Sequence, residues 1–255
     1  MPYFILLLLG LLLTNCTSSS PSPAAPPAAP TAEDVIRRAI DVHGGTAYDS
    51  LSLSFDFRNR SYAIDRRGGR YRYERSFSDT LADGTVEIVT DRLDNDRLLR
   101  YRDGRPQELS AKDSSAYAES VNSVRYFFML PFGLLDPAVN RELLDTVTIR
   151  RQPYVLVRVT FDETGGGTDF QDVYHYYFHL YDHTLDYLAY SFLVNDGGIR
   201  FREAVNRRRA GPLLIQDYVN YGLNETTDLT DVAGRFERGE LRRLSTIENR
   251  NVVLR

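Results

Sequence analysis

A period of two runs through most of this chain. Over residues 51–58, Leu51, Leu53, Phe55 and Phe57 alternate with Ser52, Ser54, Asp56 and Arg58. Successive side chains on a strand point to opposite faces, so this pattern gives one apolar and one polar face. Residues 71–75 alternate likewise after Gly68-Gly69, and residues 85–90 and 98–102 are bounded by Asp83-Gly84 and Asp103-Gly104. In the second half, residues 154–161, 172–181, 187–194, 199–206 and 213–220 read as strands. Short turns join them, among them 182–186, the three glycines 165–167 and Gly211-Pro212. Three helices interrupt this pattern. The first is set by a capping box, Thr31 with Asp34, and ends at His43-Gly44-Gly45. The second covers 111–129 and stops at Pro131; the third is expected from Asp136-Pro137 to about residue 144. Strands joined by turns rather than by helices exclude a parallel sheet. The expected class is α+β, mainly antiparallel β. About nine to eleven strands form a curved sheet or half-barrel, with helices covering its concave face.

The N-terminus obeys different rules. Residues 4–13 are an apolar run about half the length of the ~20 residues that a membrane-spanning helix needs. That length suits the hydrophobic region of a secretory signal. Leu13-Thr14-Asn15-Cys16 resembles the lipobox of bacterial lipoproteins, although Asn15 replaces the usual small residue and the first three residues carry no Lys or Arg. The resemblance implies that residues 1–15 are removed and that Cys16 becomes a lipidated N-terminus anchored in the outer membrane, facing the periplasm. Cys16 is the only cysteine. A mature chain of this kind therefore has no disulfide, no thiol nucleophile and no Cys-ligated metal. Residues 17–31 contain no charge and no large side chain, and they read as an extended Ser/Pro/Ala tether. Residues 32–255 are expected to form a single globular domain.

Net charge is −4, with both signs spread along the chain, so nothing points to nucleic acid. Lys112 is the sole lysine among 31 basic residues, which leaves Schiff-base chemistry one candidate in a polar stretch. Nucleotide loops and the Gly-x-Ser-x-Gly elbow are both missing, and no cofactor is expected. His175, His179 and His183 are four apart, which on a helix would line one face. They sit among β-formers, where His175 and His179 are separated by about 13 Å, too far to share a metal. His43, at a helix end, reads as a favourable partner of the helix dipole.

Several segments together resemble a family of uncharacterised Gram-negative lipoproteins. They are the helix ending in His-Gly-Gly, Phe55-Asp56-Phe57-Arg58, Ser120-Val121-Asn122-Ser123-Val124-Arg125-Tyr126-Phe127, Gly165-Gly166-Gly167-Thr168-Asp169, Asp186-Tyr187-Leu188-Ala189-Tyr190 and Arg200-Phe201-Arg202-Glu203-Ala204-Val205-Asn206. The match covers most of residues 32–250. The architecture is similar to that of the LolA/LolB-like lipoprotein carriers and receptors. That implies a half-open antiparallel barrel, lidded by helices, that holds acyl chains.

Two charges fall on apolar faces. Alternation places Glu203 with Phe201 and Val205, and Arg75 with Tyr71 and Tyr73. A charge in the interior is costly unless paired, so both are expected to point inward, as partners of each other or through Tyr hydroxyls, and in a ligand site Arg75 is the residue to hold an anionic head group. Candidate ligand-binding residues are Arg58, Tyr73, Arg75, Tyr126, Asp172, His175, Tyr177, Arg202 and Glu203. Three functions follow from the pattern. The first is a lipoprotein that binds a lipid or other hydrophobic ligand in the sheet cavity. The second is a periplasmic enzyme on a polar substrate, with Glu203, His175 and Asp172 as acid/base groups in one cleft. The third is an envelope scaffold or partner-binding module.

Overall fold

The alternating segments pair into two seven-stranded antiparallel sheets. The computed structural model describes residues 29–255 except 168, 194–196 and 225; the apolar run, Cys16 and most of the tether lie outside the described residues. Helix α1 (Ala32–His43) comes first, capped by the reciprocal Thr31–Asp34 box. Six strands follow: β1 (Ser50–Phe57), β2 (Arg60–Arg67), β3 (Arg70–Thr80), β4 (Val86–Asp94), β5 (Leu98–Arg102) and β6 (Arg105–Gln107). Helix α2 (Ala111–Met129) then leads to β7 (Val139–Ile149), β8 (Gln152–Phe161), β9 (Val173–His179), β10 (Leu185–Phe192), β11 (Gly198–Ala210) and β12 (Leu213–Leu223). The chain closes with α3 (Val232–Glu237), β13 (Arg242–Ile247) and β14 (Asn249–Leu254).

The first sheet runs β14-β1-β2-β3-β4-β5-β6 and the second β13-β12-β11-β10-β9-β8-β7. The last two strands, consecutive in sequence, therefore sit at the inner edges of different sheets. Asn249 holds this seam: its backbone N–H donates to Asp217 Oδ1 at 2.8 Å, and its amide donates to the Gln216 carbonyl at 2.9 Å. The antiparallel α+β class is that expected from alternation. Fourteen strands appear rather than nine to eleven: β2, β6, β7, β13 and β14 are not among the alternating segments, β6 being only three residues long and β13 and β14 too polar to show an apolar face. In the segment 137–144, residues 137 and 138 are a turn and 139–144 are strand, not helix. Their pairing with β8, which matches Val139 with Phe161 and Leu143 with Val157, overrides a local Asp-Pro helix start.

The two sheets are covered differently. The first is apolar only on its inner face, where Leu51, Leu53, Phe55, Ile64, Tyr73 and Leu98 pack against α2. The second is apolar on both faces, as a doubly covered sheet must be. Inward, Val157, Val159, Tyr176, Phe178 and Leu188 pack against α1 and the segment after α2. Outward, Tyr154, Tyr177, Tyr187 and Phe201 pack against Val232 and Phe236 of α3. His43 pins α1 in place: its Nε2 accepts the Leu185 backbone N–H at 3.1 Å. Burial holds that imidazole neutral, with its pKa lowered to about 4.

Candidate functional site: the cleft beneath helix α2

Helix α2 is 19 residues long but fully buries only Val121 and Met129. A core helix buries a broad apolar stripe. Here Tyr126, Phe127 and Phe128 stay half-buried because they border open space. Two adjoining cavities lie between α2 and the inner face of the second sheet. One, of about 310 Å³, runs toward the seam; Phe57, Arg58, Phe128, Arg202, Tyr218 and Asn220 are among its walls. The other, of about 390 Å³, is bounded by Tyr126, Phe161, Tyr174, Phe192, Arg200 and Asp172. Ser123, Phe127 and Tyr190 line both, so the two hollows adjoin across a shared wall and make one aromatic-walled cleft. Each half has the size of an ordinary small-molecule site. Two larger hollows, of about 530 and 670 Å³, are open grooves at strand ends lined mainly by polar and charged side chains, without such walls.

The cleft is electrically polarised. Arg58 and Arg202 face the seam half. Glu119, Asp169 and Asp172 stand at the far half, opposite Arg200. Burial, aided by Asp169, raises the Asp172 carboxyl to about 6. Tyr126 and Tyr176 share a 2.8 Å hydrogen bond beneath the helix, and burial pushes both phenols far above their ordinary value.

The nine candidate residues separate into three groups. Arg58, Tyr126, Asp172 and Arg202 line the cleft. Tyr73 and Arg75 lie under α2 against the first sheet and line neither half. Tyr73 Oη accepts from Arg66 at 2.7 Å. Arg75 is 4 % exposed and is bound by Asp91, which Arg100 also engages at 2.6 Å. Strand register makes these three side chains direct neighbours, Arg75 opposite Asp91 and Asp91 opposite Arg100. His175, Tyr177 and Glu203 belong to the outer face under α3. Glu203 is 9 % exposed; it pairs with Arg150 rather than Arg75, and accepts from Tyr221 Oη at 3.2 Å. The His175 pKa is lowered to about 4, first by burial and then by Arg158. Glu203, His175 and Asp172 thus do not converge on one cleft.

Several cleft residues escaped the sequence reading: Ser123, Phe161, Tyr190, Phe192 and Asn220. A signal existed in β9 and β10, whose side chains are apolar at both odd and even positions. That marks a sheet with two covered faces, so Tyr174 and Tyr177 must look in opposite directions. The three glycines at 165–167 shape one rim. Gly165 and Gly167 have φ of +89° and +85°, and a Cβ on Gly166 would lie 2.1 Å from the Asp162 carbonyl oxygen.

Among solved structures, the chain is similar to a LolA superfamily protein from Nitrosomonas europaea, at 11% identity and a TM-score of 0.49, covering 89% of this chain and 94% of that one. It is also similar to the Mycobacterium tuberculosis lipoprotein LppX, at 14% identity and a TM-score of 0.27 over 66% and 90% of the two chains. A third is MucB from the Pseudomonas aeruginosa MucA/MucB complex, at 13% identity and a TM-score of 0.24 over 76% of each. No curated protein matches the sequence. A family model described as a family of unknown function, DUF6503, matches residues 3–249, and the chain belongs to that family.

Proposed function

We propose that this protein is a membrane-anchored envelope lipoprotein that binds a hydrophobic, lipid-like ligand in the cleft beneath α2. The observation that carries the reading is the cleft itself: two adjoining hollows walled by aromatic rings, under a long helix whose apolar side chains remain half-covered. Apolar surface left in contact with water is an unrealised gain of roughly 25 cal/mol per Å², which a hydrophobic guest recovers. Cys16 supports the anchor, with residues 17–31 as the tether to a single domain over 32–255 facing the periplasm. Several acyl chains on that cysteine give stable attachment. The anchor holds the cleft close to a membrane supply of ligand.

Native mass spectrometry of the full chain, purified without lipid stripping, tests the binding. A copurifying hydrophobic ligand is expected, and it is lost when S123F sets a ring at Ser123, which lines both hollows. An empty wild-type protein that also fails to take up added lipid refutes the proposal. Cys16→Ala is expected to move the protein from the membrane to the soluble fraction.

A further inference from the structure

Among the described residues, three arginines are buried: Arg75, Arg100 and Arg202. The first two share the carboxylate of Asp91. Arg202, only 8 % exposed, has no carboxylate partner among the described residues. Its Nη2 donates to Tyr190 Oη at 3.2 Å, and its guanidinium lies 3.9 Å from the centre of the Phe127 ring. Its Nε is buried with nothing to donate to. A buried cation contacted by rings and one hydroxyl lacks the counter-charge that the interior demands.

The groups beside it are also unsatisfied or polar. Strand register sets Arg202 directly opposite Asn220, and Asn220 opposite Ser245. All three line the seam half of the cleft, and the Asn220 amide oxygen is buried without a partner. A guanidinium, an amide and a hydroxyl thus stand in a row across three strands, with Arg58 on the same cavity wall. The acidic side chains of the cleft lie at the other half.

We propose that Arg202 is the head-group site of the cleft, and that the ligand is an anionic amphiphile whose carboxylate or phosphate docks there. Its apolar tail runs past Phe127 into the aromatic half. Asn220 and Ser245 bind the hydroxyl or remaining oxygens of the head. The planar fork of arginine suits either anion. This inference rests on the cleft being a hydrophobic-ligand site and adds the charge of the ligand.

Ligands with one tail and different heads test it. Oleate, oleyl phosphate and oleyl alcohol are titrated into the full chain and bound species are counted by native mass spectrometry. The wild type is expected to bind one or both anions at least tenfold more tightly than the alcohol. Arg202→Met is expected to abolish that preference, bringing the anions to the affinity of the alcohol, and Arg202→Lys to keep part of it. Arg202→Gln, which keeps a polar donor without the charge, gives the same readout should the methionine variant not fold. The ratio of oleate to oleyl phosphate separates a carboxylate from a phosphate head. Equal binding of anions and alcohol by the wild type, or a preference that survives in R202M and R202Q, overturns this inference alone. Failure of all three ligands to bind overturns the cleft reading and this inference with it.

Discussion

Asp91→Asn removes the one anion that two buried guanidiniums share. Arg75, Asp91 and Arg100 stand side by side on β3, β4 and β5, with side-chain exposures of 5%, 0% and 9%. Arg75 Nε donates to Asp91 Oδ2 at 3.0 Å; Arg100 Nε and Nη2 donate to Oδ1 and Oδ2 at 2.6 and 2.9 Å. The triad also seats α2: Arg75 donates to Ser120, and Arg100 stacks 3.4 Å from the centre of the Tyr117 ring. Asparagine preserves shape and one acceptor but leaves two uncompensated cations on neighbouring strands. Breaking a buried ion pair by removing one partner costs about 3–5 kcal/mol. For a domain of this size each kcal/mol lowers the melting temperature by roughly 2–4 °C, so D91N should melt on the order of 6–20 °C below the wild type. Arg100→Met is the informative control. It leaves one cation facing one anion and forfeits mainly the stacking on Tyr117, about 0.5–2 kcal/mol. Calorimetry and urea unfolding of the three proteins decide the matter. D91N within 2 °C of the wild type, or R100M falling further than D91N, would refute the shared-charge reasoning.

Three other outcomes are expected. The pKa of both His43 and His175 is lowered to about 4 from 6.5, so the unfolded chain binds their protons first as pH falls. Their contribution to stability is complete above pH 6.5 and is lost from there down to about 4, by roughly 3 kcal/mol for each at most; Asp172, raised to about 6, acts in the opposite sense between about pH 4 and 6. Urea titrations at several pH values should show this slope, and H175F should flatten about half of it. Phe236→Ala removes the α3 ring that stacks on Phe201 at 4.6 Å and meets Tyr187 and Tyr221; unfolding should show a loss of about 3–5 kcal/mol with the cleft ligand still bound. Gly166→Ala drives a Cβ into the Asp162 carbonyl and should shift the rim of the cleft, weakening ligand uptake more than it lowers the melting temperature.

Alternation and turn chemistry were enough for β1, β3 to β5 and β8 to β12, because each carries its own burial pattern and is flanked by turn residues; β2 and β6 were not read from the sequence. The first capping box and Pro131 likewise bound α1 and α2 from local chemistry. Residues 139–144 and the last two strands were not legible: β7, β13 and β14 are strands because of what they pair with, and their own sequence is polar or points elsewhere.

The same division holds for the cleft. The sequence by itself determined that the chain must make antiparallel sheets, that Arg75 and Glu203 sit on apolar faces, and that Cys16 is its one cysteine. Tertiary structure decided what neutralises each of those charges and which face each aromatic serves. Asp91 lies 16 residues from Arg75 and 9 from Arg100, and only strand register brings the three together. One residue of alternation separates Arg202 from Glu203, sending the first to the cleft and the second beneath α3. Spacing along a strand gives the face of a side chain, but its partner depends on pairing between strands, which the period of two does not encode.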